Sequence, residues 1–218
     1  VQADADGMAL LQSLGAKSVP VVSRGTDFVF GQSLGDVAEF LGIDVDTSPQ
    51  LSPAELVGKI DMILSAAQRY IGQFHKNAAG QDVLDRRRTH RELSFHVFRI
   101  VEALLDCADG SELTYQYYAD KPPARMTTFG QITDYGGDVR RRLSAWWERY
   151  EDSSCESIVQ TYFGEKPLHE VMERTAWHAG QHVRQFMMLL ERMEIEPEQP
   201  LTGADFSGLP MPDKVWDE

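Results

Sequence analysis

From Leu168 to Met193 the core-type positions Leu168, Met172, Thr175, Ala179, Val183, Phe186, Leu190 and Met193 recur every three or four residues, the period of one buried helix face. The segment reads as a single long helix whose stripe other parts of the chain must cover. His178 and His182 lie on it four residues apart. That spacing stacks them one turn, about 6 Å, from each other, so both imidazoles can meet one metal ion. It equally suits two histidines that each need only a hydrogen bond, and a third donor is what separates the two readings.

His96 is that donor. It sits in the stripe Leu93, His96, Val97, Ile100 and Leu104, again of helical period, and so points toward the core. Inward-facing histidines on two separate helices are what a helical assembly needs to hold a metal between its helices, with a position left for water or substrate.

The chain has 218 residues and a net charge of −13. That balance argues against a broad nucleic-acid-binding face, which needs concentrated positive charge. The basic triplets 86–88 and 140–142 are local exceptions, read as solvated ends or as a small anion pocket. No apolar run is long enough to span a bilayer. Cys107 and Cys155 are far apart and form no CxxC or zinc-ribbon pattern, so neither a disulfide framework nor a dithiol motif is indicated. The expected compartment is the cytoplasm.

Residues 1–43 are organised differently from the rest. A helical stretch from Gly7 to Leu14 leads to the run from Ser18 to Ser23, a turn at Arg24-Gly25-Thr26, and the run Asp27 to Phe30, which together read as a hairpin between helices. Ser33 caps a closing helix from Leu34 to Leu41, and Gly42 ends it. This order, with Val19-Pro20 heading the first strand, resembles the second half of a glutaredoxin or thioredoxin-like fold, where the matching proline is cis. The resemblance implies glutathione-binding roles for Val19, Pro20 and Ser33. The first strand, the first helix and the CxxC of that fold have no counterpart here. The two strand edges then invite pairing with a second copy of the chain, and a homodimer is expected.

Residues 44–52 read as a polar linker. Ser52, Pro53 and Glu55 open a helix with the apolar face Leu56, Ile60, Ile63, Leu64, Ala67, Ile71 and Phe74, stopped by 77–80. Thr89 and Glu92 open the next, which runs to about Ala108. The stretch from Ser111 to Arg125 has no period, and Pro122-Pro123 forbids a regular helix, so a long loop is expected with Tyr115, Tyr117 and Tyr118 as pocket or surface residues. A third helix spans Thr128 to Tyr150, with Gly136-Gly137 as a weak point or a close-packing site. Ile158 to Phe163 reads as a short extended piece, and residues 164–167 deliver the chain into the histidine helix. The tail, 196–218, contains four prolines yet carries Leu201, Phe206, Leu209, Met211, Val215 and Trp216. It must cover something. Running back along the helices, it would place Trp216 as a wall near the histidines, or else pack between helices.

Four long helices with a long second connection predict an antiparallel four-helix bundle. The run His178-x-x-x-His182-x-x-Gln185, with His96 on another helix, closely resembles the DinB/YfiT-like proteins over residues 53–195. The resemblance implies a mainly α fold in which His96, His178 and His182 bind a divalent metal, zinc or nickel, and a dimer acting on a small-molecule substrate. It further implies a metal-dependent thiol S-transferase, with glutathione as a possible thiol. A metal-dependent hydrolase and a non-enzymatic binding module use the same ligands. An acidic residue typical of the family's iron-dependent branch is replaced by Arg184. Arg184 and Arg99 are candidates to receive a substrate carboxylate, and Gln185, Trp177 and Glu92 are candidates to orient the ligands. His90, His75 or the tail would block the open position in the binding-module reading.

Overall fold

Three of the long helices open on a side chain that closes their first turn, as a helix with four unpaired N–H groups requires. In the computed structural model, which describes residues 5–16, 19–84 and 88–216, Ser52 accepts from the Glu55 amide and the Glu55 carboxylate accepts from the Ser52 amide at 2.8 Å. Thr89 and Glu92 repeat this box, and so do Thr128 and Gln131. The helix that carries His178 and His182 begins differently. Its first free amides are taken by backbone, Leu168 N–H donating to Ser157 O at 2.9 Å and His169 N–H to Cys155 O at 2.8 Å.

The chain divides into two compact units, Val1–Ser48 and Pro49–Glu218. In the first, α1 (Ala5–Leu14), β1 (Val21–Arg24), β2 (Asp27–Phe30) and α2 (Leu34–Leu41) follow in order. β1 and β2 pair antiparallel, Val21 opposite Phe30, across a turn in which Gly25 takes a φ of 64° that a side chain would disfavour. The Val19–Pro20 peptide is cis. α2 packs on β2. Ser33 caps α2 and Gly42 ends it, as the sequence predicts.

The second unit holds α3 (Pro53–Gln73), α4 (His90–Ala108), the one-turn helix α5 (Gln116–Ala119), α6 (Phe129–Arg149), the hairpin β3 (Ile158–Thr161) and β4 (Gly164–Pro167), and α7 (Leu168–Arg192). α3 packs along α6 and α7, and α4 packs along the same two helices. Their shared core is built from the predicted stripes: Leu56, Ile60, Ile63, Leu64 and Ile71 of α3, Leu93, Val97, Ile100 and Leu104 of α4, and Met172, Ala179, Val183, Phe186 and Leu190 of α7 are all buried. Each Val, Leu, Ile, Met or Phe side chain removed from water contributes about 1.5–3 kcal/mol. Gly136 proves to be a close-packing site, because a Cβ there would fall against the Phe98 ring of α4.

Two expectations change. The extended piece at 158 is half of a hairpin, Ile158 pairing with Pro167; four-residue strands are too short to show alternation. The loop after α4 contains α5, a single turn below the reach of any periodicity, and it is tied to β3 by Leu113 N–H to Gln160 O at 2.9 Å and Tyr162 N–H to Leu113 O at 2.8 Å. No helix among the described residues is long and apolar enough to cross a membrane. The chain is thus mainly helical, with two small two-stranded antiparallel sheets.

The tail runs back along α3 and α7. Gln73 donates to Glu196 O at 2.8 Å, the Tyr70 hydroxyl to Gln199 O at 3.0 Å and Lys59 to Asp205 O at 2.7 Å. It crosses α7 at Gly180, where Phe206 and Met211 come within 3.3 Å of the place a Cβ would occupy.

Candidate metal centre

α4 and α7 bring the three predicted histidines together. The ring centroids of His178 and His182 are 4.8 Å apart, and that of His96 is 5.0 Å from His182 and 5.4 Å from His178. One ring nitrogen from each lies within 4.8 Å of the others. Three nitrogens on one tetrahedral ion at 2.0–2.1 Å are about 3.3 Å apart, so less than about 1 Å of movement per ring closes the set.

Each ring also carries a buried nitrogen without a hydrogen-bond partner, Nδ1 of His96, Nδ1 of His178 and Nε2 of His182. Buried polar atoms are normally paired, and an unpartnered nitrogen on every ring of one cluster leaves the group free to hold a cation. Hydrogen bonding fixes one of the rings outright. Gln185 Nε2 donates to Val215 O at 3.2 Å, which turns the amide oxygen toward His182. That oxygen can only accept, so His182 Nδ1–H donates to it at 2.7 Å. The neutral ring is then left with its lone pair on Nε2, the nitrogen that has no partner.

The electrostatics keep the rings neutral, as metal binding requires. Loss of water holds His96 and His178 well below the ordinary histidine range, helped by repulsion from His182, Arg88 and Arg174. Burial brings His182 to about 4, although its bond to Gln185 acts in the opposite direction.

Other predicted residues fall in several places. Trp177 lies beside His178, with ring centroids 5.8 Å apart. The tail reaches the cluster through Val215, which Trp216 follows. Arg184, a candidate for a substrate carboxylate, is instead engaged by the tail, donating to Pro212 O at 2.6 Å and Asp213 O at 3.0 Å. Arg99 is compensated by Glu102 and Asp120 at 2.8 and 2.9 Å and covers the Tyr117 ring. Glu92 closes the first turn of α4 and pairs with Lys121 at 2.9 Å. His90 Nδ1–H donates to Gln81 O at 3.0 Å and, like His75, stands outside the cluster. In the first unit, Val19 O accepts from Gln32 Nε2 at 3.1 Å and Ser33 Oγ caps α2, so both polar groups have internal partners.

Three further residues stand at the site: Tyr118 and Arg88, which the sequence offered as a pocket or surface residue and as part of a basic triplet, and Arg174, to which it gave no role. Tyr118 stacks on His178, centroids 5.7 Å apart and planes 13° from parallel. Arg174 reaches the Tyr118 and Tyr162 hydroxyls at 2.8 and 3.0 Å. The signal for Arg174 was present, since it precedes His178 by four residues on the same side of α7. Of the basic triplet 86–88, Arg88 acts on all three histidines, and the other two lie outside the described residues. No protein-family model matches the chain, and no curated protein is significantly similar to it.

Proposed function

We propose that this chain is a metal-dependent enzyme of the DinB/YfiT-like type, a thiol S-transferase in which His96, His178 and His182 hold a divalent ion, zinc or nickel. In this reading α3, α4, α6 and α7 form an antiparallel four-helix bundle and residues 1–43 are a partial glutaredoxin-like segment. The protein acts in the cytoplasm as a homodimer on a small-molecule substrate, with glutathione as the thiol.

The observation that carries the reading is the set of three neutral imidazoles that each offer a ring nitrogen within 4.8 Å of the others and each carry a buried nitrogen without a hydrogen-bond partner. Three neutral donors leave the ion its full charge, and imidazole suits zinc and nickel. A bound ion would lower the pKa of a thiol or water entering the site. The chain's own residues do the rest: Gln185 presents Nε2 of His182, Tyr118 covers one face of His178, and burial excludes water and protons from the rings.

Elemental analysis of purified protein tests the ligands. His96→Ala, His178→Ala and His182→Ala each lose most of the bound metal, while His75→Ala and His169→Ala retain it. Full occupancy in His178→Ala refutes the site. Conversion of a chloronitroaromatic electrophile that requires both metal and glutathione supports the transferase, and equal turnover without thiol removes it. Light scattering on the intact chain checks the dimer; a monomeric mass refutes it.

A further inference from the structure

Arg174 is buried to 9% exposure and carries a charge it cannot lose. Its terminal nitrogens donate to two phenol oxygens, and its guanidinium carbon lies 5.0 Å from the Tyr118 ring centroid, 5.1 Å from Phe163 and 5.9 Å from Tyr162. Its Nε is buried with no partner. No carboxylate of the described residues forms an ion pair with it, although Arg99, Arg140, Arg141, Arg142 and Arg149 all have one. Phenol oxygens and ring faces supply only partial negative charge, and a buried cation without a counter-charge is costly. A second cation, Arg88, acts on the same histidines. Positive charge is therefore concentrated here in a chain whose net charge is −13.

Arg174 stands one helical turn, about 6 Å, before His178, and Tyr118 joins the two, its ring on His178 and its hydroxyl on Arg174. We infer that Arg174 is a carboxylate-binding subsite beside the three histidines, and that the ligand taken there is a small carboxylic acid carrying a thiol. The thiol end rests on the metal reading; the carboxylate end stands on Arg174 alone. Nε–H and the neighbouring terminal N–H form the fork that matches two carboxylate oxygens. The Tyr118 hydroxyl accepts from Arg174 and so keeps its own proton for the ligand.

The test compares 3-mercaptopropionate with 3-mercaptopropionamide, which differ only in the charge of one end, titrated into cobalt-loaded and metal-free protein. Binding is followed by tryptophan fluorescence and, with cobalt, by visible absorption. The acid is expected to bind at least about tenfold more tightly than the amide in both forms. Arg174→Met should bring the two within twofold without changing the affinity for the amide, and Arg174→Lys should retain part of the preference. Equal binding of acid and amide to the unmodified protein overturns the subsite, and so does a preference that survives in Arg174→Met. If circular dichroism shows that Arg174→Met does not fold, Arg174→Lys decides, an undiminished preference overturning the subsite. Acid preference without cobalt uptake refutes the metal reading alone; cobalt uptake without acid preference refutes the subsite alone.

Discussion

Replacing Gln185 with Leu removes the acceptor that holds His182 Nδ1–H at 2.7 Å. Two outcomes are open to the ring, and both weaken metal binding. Either the buried N–H stays where it is without a partner, or the proton moves to Nε2 and blocks the lone pair the metal needs. An unsatisfied buried donor costs about 1–3 kcal/mol, and loss of a partner behind a ligating histidine lowers metal affinity by about 10–100-fold. Competition with a chromophoric chelator at pH 7 measures this directly. Burial holds His182 at about 4, and the Gln185 bond raises it, so the variant's pKa falls further and protonation cannot be the cause of the loss. The deficit should therefore be equal at pH 6 and pH 8. Gln185→Glu keeps an acceptor and makes it charged, so its affinity should match or exceed the original. An affinity within twofold of the original in Gln185→Leu, with His182 still required, would refute the tautomer argument.

Stability should also depend on pH. The three rings are held below their unfolded value near 6.5, so the unfolded metal-free chain takes up protons that the native state refuses, and stability falls with pH from about 6.5 toward 4. Between pH 6.5 and 5.5 the loss approaches about 3 kcal/mol for three rings; a urea midpoint constant over that interval contradicts it. Ending the chain after Asp213 removes the Val215 carbonyl that holds Gln185 but keeps buried Phe206 and Leu209. Metal affinity should fall several-fold while the melting temperature stays within about 2 °C, and the reverse pattern would make the last residues purely structural. Gly136→Ala should cost about 1–3 kcal/mol by driving a methyl into the Phe98 ring, and a denaturant midpoint equal to the original would show that α4 and α6 separate easily.

What the sequence made legible was whatever recurs along one helix. The stripes of α3, α4 and α7, their capping boxes and the placement of His96 opposite His178 and His182 follow from period and spacing. Gln185 was readable for the same reason, lying three residues from His182. The surroundings of Arg99 and Arg184 were not legible, because a cation is assigned a role by what surrounds it in space. Glu102 pairs with Arg99 within α4, but Asp120 for Arg99 and the carbonyls of Pro212 and Asp213 for Arg184 lie on segments without period. Tyr118 was legible only as one of three tyrosines for a pocket or a surface, because it lies in a one-turn helix on a loop that Leu113 anchors to β3.

The two irregular segments have a common physical reason. α7 is buried on two adjacent stripes, one apolar and one that carries Arg174, His178, His182 and Gln185. Its backbone groups are consumed within the helix, so each polar side chain on the second stripe must find a partner elsewhere. The loop after α4 and the β3–β4 turn give Arg174 two hydroxyls, and α5 gives His178 an aromatic face. The tail gives Gln185 a carbonyl, and through it fixes the ring of His182. An extended, proline-containing segment keeps its carbonyls available, and residues 212–215 present theirs to Arg184, Gln181 and Gln185. The composition of the tail thus follows from the stripe it covers: prolines to keep it extended, Phe206 and Met211 to seat it at Gly180, and carbonyls that accept from Arg184, Gln181 and Gln185.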